Sequence, residues 1–193
     1  MKITIAWLFL LLLATGAAAQ SPADRRAERQ QQKEKQARLD DVQHRNAVRA
    51  LEQRSFILQA DRLYFKGGGM TTIEPKTNFL ILDKDKVTVQ VSFERYGGRG
   101  VALQGDVVRI REKQDRKGRL SYRIDISSTE RSLTRVNLIL NTESDQAMAV
   151  VYSDSNYNTF GSKLANYNDR YITLEGELKP LENNDILQRK PLF

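Results

Sequence analysis

Two carboxylates on one predicted strand are candidates for acid–base catalysis. Glu175 and Glu177 alternate along a segment with a hydrophobic period of two, so they share a strand face, and Asp125 is a candidate neighbour in space. A glycosidase needs two carboxyl groups about 5 to 10 Å apart in a sugar-binding cleft. Such clefts are usually lined by aromatic rings, and the single tryptophan, Trp7, lies in the N-terminal apolar segment. We therefore interpret these carboxylates as solvated.

The other reactive residue types add no catalytic device. The single histidine, His44, lies among polar side chains on a charged helical segment, where we expect it to be solvated rather than fixed beside a nucleophile. The chain has no cysteine, which excludes thiol nucleophiles and thiolate zinc sites. Gly67-Gly68-Gly69 lacks the Lys-Ser/Thr continuation of a phosphate-binding loop. We expect no enzymatic activity, no metal site and no cofactor.

A basic hairpin over residues 106–127 is the strongest charge feature. Two alternating segments flank the turn Asp115-Arg116-Lys117-Gly118, and their basic side chains fall on the face opposite the apolar residues. These candidate binding residues are Arg109, Arg111, Lys113, Arg119 and Arg123. Such a face suits lipid headgroups, acidic polysaccharide or an acidic protein, whereas nucleic acid is not expected because no aromatic residues interleave to stack bases. The alternative is a solvated face whose charges discourage edge-to-edge pairing.

Tyrosine and asparagine mark a second candidate binding region. Residues 156–170 contain no strand pattern, and long loops between strands often carry function. Tyr and Asn side chains also make adaptable contact surfaces. The candidates are Tyr157, Asn158, Asn166, Asn168 and Arg170, together with Tyr96 and Arg99 in an earlier Gly-rich loop. The same segment is also compatible with a loop folded over the open end of the sheet.

The N-terminal residues predict export. Lys2 precedes an apolar run from Ile3 to Ala14, and Ala17-Ala18-Ala19 supplies the small residues that a signal peptidase requires. The run is shorter than the ~20 apolar residues of a spanning helix, so residues 1–19 are predicted to be a cleaved signal peptide. Loss of Lys2 takes the formal charge from +7 to +6. Without a cysteine there is no lipobox, and we expect a periplasmic or secreted protein that is not a lipoprotein.

Residues 20–54 form a charged arm with helical composition. They are rich in Arg, Gln, Glu, Lys and Ala, and Ser21-Pro22 is typical of a helix start. Residues 24–38 have only alanines as apolar side chains, so this part is interpreted as a solvated helix or a disordered tail. The last turns are predicted to dock on the following domain through Val48 and Leu51.

From Ser55 the hydrophobic period changes to two, which predicts a β domain over residues 55–181 and a tail over 182–193. About eight strands with short turns and no helical crossovers indicate an antiparallel meander, closed as a barrel or stacked as a sandwich. Two sets of side chains are predicted to point into the core. These are Val87, Val89, Val91 and Phe93 on one strand, and Val108, Ile110, Leu120, Tyr122, Ile124 and Ile126 in the hairpin.

Several short motifs resemble an exported Bacteroidota family known as domain of unknown function number four-two-five-one. They are Ser55-Phe56-Ile57-Leu58-Gln59-Ala60-Asp61-Arg62, Thr77-Asn78-Phe79-Leu80, Asp85-Lys86-Val87, Gly98-Arg99-Gly100, Arg170-Tyr171-Ile172-Thr173-Leu174-Glu175-Gly176-Glu177-Leu178 and Pro180-Leu181. The resemblance extends from about Arg45 to Leu181. It implies export and a β-rich fold, and it carries over no catalytic residue.

Two functional hypotheses follow from these observations. The first is a non-catalytic interaction or structural module of the cell envelope, with an anionic envelope component or a protein as its partner. The second is a lipocalin-like carrier, because an eight-stranded meander can close around one small apolar ligand. A solidly packed interior favours the first, and a cavity behind residues such as Val89 favours the second.

Overall fold

The computed structural model describes residues 22–65, 68–92, 101–128, 133–153 and 171–183. The chain divides into two compact units, Met1–Leu39 and Asp40–Phe193. One helix, α1, runs from Pro22 to Glu52. Its residues 25–39 are all exposed, which agrees with a composition that offers no apolar stripe.

The last turns of α1 belong to the second unit and contribute to its core. Ala47, Ala50 and Leu51 are buried, and Val48 packs against the same cluster. The predicted contact through Val48 and Leu51 is therefore present. The half-buried ring of His44 donates from Nδ1 to the carbonyl oxygen of Ser144 at 2.9 Å, so the expectation of a solvated histidine is wrong.

Nine strands follow the helix. They are β1 (Ser55–Tyr64), β2 (Met70–Thr72), β3 (Phe79–Asp83), β4 (Lys86–Val91), β5 (Val101–Gln114), β6 (Leu120–Ser127), β7 (Leu133–Leu140), β8 (Gln146–Ser153) and β9 (Tyr171–Pro180). A 3-10 turn over Leu181–Asn183 comes after β9. Eight of the nine strands correspond to the predicted ones, and the three-residue β2 was not anticipated.

The strands form a closed antiparallel barrel. Each of β3 to β8 pairs with the next strand, and β1 pairs with both β3 and β9, so that eight strands complete the ring. The short β2 is an extra strand on the far end of β1. This closure decides between the barrel and the sandwich that the sequence left open.

Alternating side chains fill the barrel with aliphatic residues. Leu58, Leu80, Ile124, Leu138 and Leu174 are among the interior residues with no accessible surface. On the outside, the 3-10 turn places Leu181 in a small apolar cluster, which also contains Ile57, Phe79 and Ile81. Phe93, predicted to point inward, lies outside the described residues.

A bulge in β5 changes which valine points inward. Val107 pairs with Ile126 and Arg109 pairs with Asp125, so Val108 has no partner across the strand pair. Val107 packs against the core, while 69% of Val108 is exposed. The prediction of an inward Val108 is therefore wrong. Ile110, on the other side of the bulge, contacts the core as predicted.

Candidate anion-binding face

The outer surface of β5, β6 and β7 collects the basic side chains. Beyond the bulge at Val108, Arg109, Arg111 and Lys113 occupy alternate positions along β5 and are exposed. Their cross-strand partners on β6 are Asp125, Arg123 and Ser121. Antiparallel partners on one face lie close enough for their side chains to interact. We call this surface, including Arg135 and Asn137 of β7, the basic face.

One carboxylate organises three guanidinium groups on the basic face. Arg123 Nε lies 3.1 Å and Arg135 Nε 3.2 Å from Asp125 Oδ1, and Arg111 Nη2 lies 3.5 Å from Asp125 Oδ2. The Asp125 side chain keeps 24% of its surface exposed, whereas the three arginines keep 38 to 49%. A partner approaching from outside therefore meets the guanidinium groups before it meets the carboxylate.

The charge balance of the basic face is positive. Burial alone would raise the pKa of Asp125, but hydrogen bonds from Arg123 and Arg135 and the charge of Arg111 lower it below the usual range. Asp125 is thus ionised at neutral pH and offsets one of its three arginines. In the described part of the chain no carboxylate forms an ion pair with Arg109 or Lys113. The face retains unneutralised cations and unused N–H donors.

Arg119, in contrast, belongs to the β5–β6 turn. Its Nε lies 2.7 Å from Asp115 Oδ2, and the backbone N–H groups of Lys117 and Arg119 donate to Asp115 Oδ1. The hydrogen bond from Arg119 is the main reason that the pKa of Asp115 is lowered. This predicted binding residue therefore stabilises the turn, and its charge is balanced locally.

Two tyrosines continue the basic face on the next strands. Arg135 of β7 pairs with Tyr152 of β8, and Tyr152 pairs with Tyr171 of β9. The Arg135 guanidinium carbon lies 5.9 Å from the Tyr152 ring centroid. The two tyrosine rings are 5.7 Å apart and tilted by 43°. Cationic and aromatic side chains are thus adjacent on the outer surface.

Comparison with known proteins places the chain in a family. A family model described as "Domain of unknown function (DUF4251)" matches residues 38–161, which is more than half of the chain. The chain belongs to the DUF4251 family. It is similar to the crystal structure of a DUF4251 family protein from Bacteroides eggerthii, with 26% sequence identity and a TM-score of 0.65 over 80% of this chain and 99% of that one. None of the curated proteins matches it.

This DUF4251 domain brings four of the predicted binding residues together and adds one. Arg109, Arg111, Lys113 and Arg123 share the basic face. Arg135 was missed, although its alternation with Val136 and Leu138 placed it on the outside of a strand. Its position could have been inferred from the predicted meander, because β7 follows β6 directly and should lie beside it.

Seven other predicted binding residues of the DUF4251 domain lie outside the described residues. They are Tyr96, Arg99, Tyr157, Asn158, Asn166, Asn168 and Arg170. The strands on either side of the Asn/Tyr segment end at Ser153 and begin again at Tyr171. The tyrosine pair is therefore next in sequence to the second region that the sequence singled out.

The three candidate carboxylates of this DUF4251 domain do not lie together. Glu175 and Glu177 share the outer face of β9, but Asp125 lies on β6, three strands away. At ~4.8 Å per strand this separation is too large for a carboxylate pair. Glu175 is instead bound by Arg62 Nη2 at 3.0 Å and by the Tyr64 hydroxyl, which donates at 2.5 Å. This contact raises the pKa of Tyr64 and ties β9 to β1.

The described residues contain no group of three or more His, Asp or Glu side chains arranged to hold a metal ion. Within the described residues, the 31-residue helix α1 is not apolar enough to cross a membrane.

Proposed function

We propose that this DUF4251 protein is an exported, non-catalytic binding module of the cell envelope, which uses the basic face to hold an anionic partner. The observation that carries the proposal is the arrangement of Arg111, Arg123 and Arg135 around Asp125. Arg111 and Arg123 are direct cross-strand partners. Two like charges in that position repel each other, and Asp125 offsets only one of its three arginines, so a further anion would meet positive charge that the protein itself does not neutralise.

The anchoring of the arginines by Asp125 supports this use of the surface. Arginine presents its N–H donors in a planar fork that matches carboxylate and phosphate oxygens. Asp125 holds three arginine side chains on neighbouring strands in place. This reduces the conformational entropy that these side chains would otherwise lose when a partner binds. The export signal predicted from the sequence of residues 1–19 supports an envelope partner.

The test is binding to three anionic probes by the chain beginning at Gln20. The probes are vesicles with anionic phospholipid, oligogalacturonate and polyglutamate. We expect at least one to bind, with an affinity that Arg111→Gln/Arg123→Gln lowers about tenfold or more. The matched control is Arg25→Gln/Arg29→Gln, two exposed α1 arginines whose replacement removes the same charge.

The outcomes separate site binding from general attraction. Loss in the β-strand variant with retention in the α1 variant supports the basic face. An equal loss in both variants, or no binding to any probe at low salt, overturns the proposal. Thermal unfolding of each variant confirms that the barrel remains folded.

A second function has one observation in its favour. A closed eight-stranded barrel with an aliphatic interior suits a carrier of a small apolar ligand. Against it, interior residues such as Leu58, Leu138 and Val151 have no accessible surface, so no void of water size touches them. Native mass spectrometry of the gently purified protein tests the carrier. A reproducible added mass that is lost on denaturation supports it, and the bare polypeptide mass contradicts it.

A further inference from the structure

A line of cross-strand partners joins the basic face to the tyrosine pair. Asp125 pairs with Arg135, Arg135 with Tyr152, and Tyr152 with Tyr171. Directly opposite side chains on one face have Cβ atoms about 4.5 to 5.5 Å apart. The line therefore places an anchored guanidinium next to two successive aromatic rings on the outside of β6 to β9.

The contacts along this line leave both chemistries available. Arg135 is fixed from one side by Asp125 and from the other by the Tyr152 ring. Its side chain still keeps 38% of its surface exposed. Tyr152 and Tyr171 occupy outward positions on their strands and are half-buried, so part of each side chain remains accessible. On the same face, Asn137, Val150 and Thr173 form the adjacent row.

The combination of a guanidinium and tyrosine rings matches an acidic sugar. A pyranose has a flat surface of C–H groups that packs on an aromatic ring, and its hydroxyl edge suits the polar end of tyrosine. A carboxylate on the sugar accepts charge-assisted hydrogen bonds from arginine. The step between strands is ~4.8 Å, close to the length of one pyranose, so a ring over tyrosine brings its carboxylate to the neighbouring arginine.

We propose that the anionic partner is a polysaccharide containing uronic acid. Its sugar rings pack on Tyr152 and Tyr171, and its carboxylates bind Arg135 and Arg123. This inference rests on the proposed function of the basic face. Charge complementarity alone would also suit an acidic peptide or a phospholipid surface, but a chain of sugar rings places a flat face on each of the two successive tyrosine rings while its carboxylates reach the arginines beside them.

Calorimetric titration with oligogalacturonate tests the proposal, because its carboxylates can be methyl-esterified without changing the sugar backbone. We expect the acid form to bind and the fully esterified form to bind at least tenfold more weakly. Tyr152→Leu, which removes the ring but keeps an apolar side chain, should weaken binding of the acid form about tenfold. Tyr152→Phe keeps the ring and should bind within about twofold of the natural chain.

Any other result overturns the polysaccharide as the partner. Some of these results leave the proposed function of the basic face intact. Equal binding of the acid and esterified forms means that charge is not recognised. Unchanged binding by Tyr152→Leu means that the ring is not used. If anionic vesicles or polyglutamate bind through Arg111 and Arg123 while oligogalacturonate does not, the polysaccharide is wrong and the proposed function stands. If none of the three probes binds, both fail.

Discussion

Two aspartates on this barrel have opposite electrostatic surroundings. Asp125 lies among three arginines, which lower its pKa despite partial burial. Asp145, in the β7–β8 turn, is only 8% exposed, and burial followed by the nearby charge of Glu177 raises its pKa. Asp40 adds to this repulsion, and Lys179 opposes it. The same side chain should therefore affect stability with opposite signs at the two positions.

Asp125→Asn should destabilise the barrel at pH 7 by about 1 kcal/mol. A carboxyl whose pKa is lowered on folding contributes stability above its unfolded pKa, and this contribution is lost as the pH falls through the folded pKa. The difference from the natural chain should thus narrow as the pH falls below about 4. Urea unfolding across this range measures it, with the exposed Asp83→Asn as control. A difference that is independent of pH would contradict the arginine cluster as its cause.

Asp145→Asn should show the reverse dependence. A carboxyl whose pKa is raised on folding contributes stability below its unfolded pKa, about 3.9, and this is lost as the pH rises through the folded pKa. As the pH rises, ionising Asp145 in its buried position becomes increasingly unfavourable for the natural chain, whereas the variant has no group to ionise there. The stability of Asp145→Asn relative to the natural chain should therefore increase from pH 3 to pH 7. Urea midpoints that move the other way would show that Asp145 is favourably bound in its ionised form.

Barrel closure depends on a close approach between two elements, β1 and β9. Their register shifts between Ala60 and Arg62, and Gly176 faces Ala60 at this point. A Cβ on Gly176 would lie 2.0 Å from the carbonyl oxygen of Gln59 and 2.8 Å from Ala60 Cα. Both are backbone atoms, so neither can move aside without opening the strand pair. Glycine within a strand is typical of such contacts.

Gly176→Ala should accordingly destabilise the barrel by about 3 kcal/mol, at the upper end for an overpacked site. Gly69→Ala is the matched control, because its Cβ would meet only Phe65 Cδ2 at an ordinary 3.7 Å. Chemical denaturation of both variants measures the difference, and hydrogen exchange of β1 and β9 amides locates it. Equal stability of the two variants would mean that β1 and β9 are not in close contact at Gly176.

Strand number follows from sequence alternation, but the closure of the ring does not. The period of two identifies the strands that have one buried face, whereas residues 79–82 of β3 are buried on both faces and form a continuous apolar run before a turn. It cannot reveal β2, whose three residues are too few to establish a period, nor a bulge such as the one at Val108, where one inserted residue reverses the alternation. Pairing of β1 with β9 joins residues more than a hundred positions apart and depends on the register of every strand between them.

The candidate site divides in the same way. Arg109, Arg111, Lys113 and Arg123 are recognisable because one hairpin carries them. Arg135 and Tyr152 contribute from later strands and meet the hairpin only through the sheet. Asp125, which the sequence singled out only as a candidate neighbour of Glu175 and Glu177, is in fact the group that holds three arginines together. The local sequence pattern therefore identifies the positive charge of the basic face but not the carboxylate that holds its arginines in place.

For the whole molecule, the choice between a surface binding module and a carrier depends on whether the barrel interior is solid or hollow. Val89 points inward from β4 and is 1% exposed, and its cross-strand partners Leu80 and Leu103 are equally buried. The end of α1 adds Ala50 and Leu51 to the same core. A solid interior makes the outer surface the binding surface, whereas a hollow one allows a ligand inside.

Val89→Phe distinguishes the two, because phenylalanine needs space that a packed interior does not have. We expect the variant to lose about 1 to 3 kcal/mol of unfolding free energy, measured by urea denaturation. Val89→Ala is its companion, and it should also destabilise, since a packed site cannot collapse fully around the missing methyl groups. Binding of anionic probes to the basic face should be unchanged in both while they remain folded. A Val89→Phe variant as stable as the natural chain would reveal internal space and give the carrier precedence over the binding module.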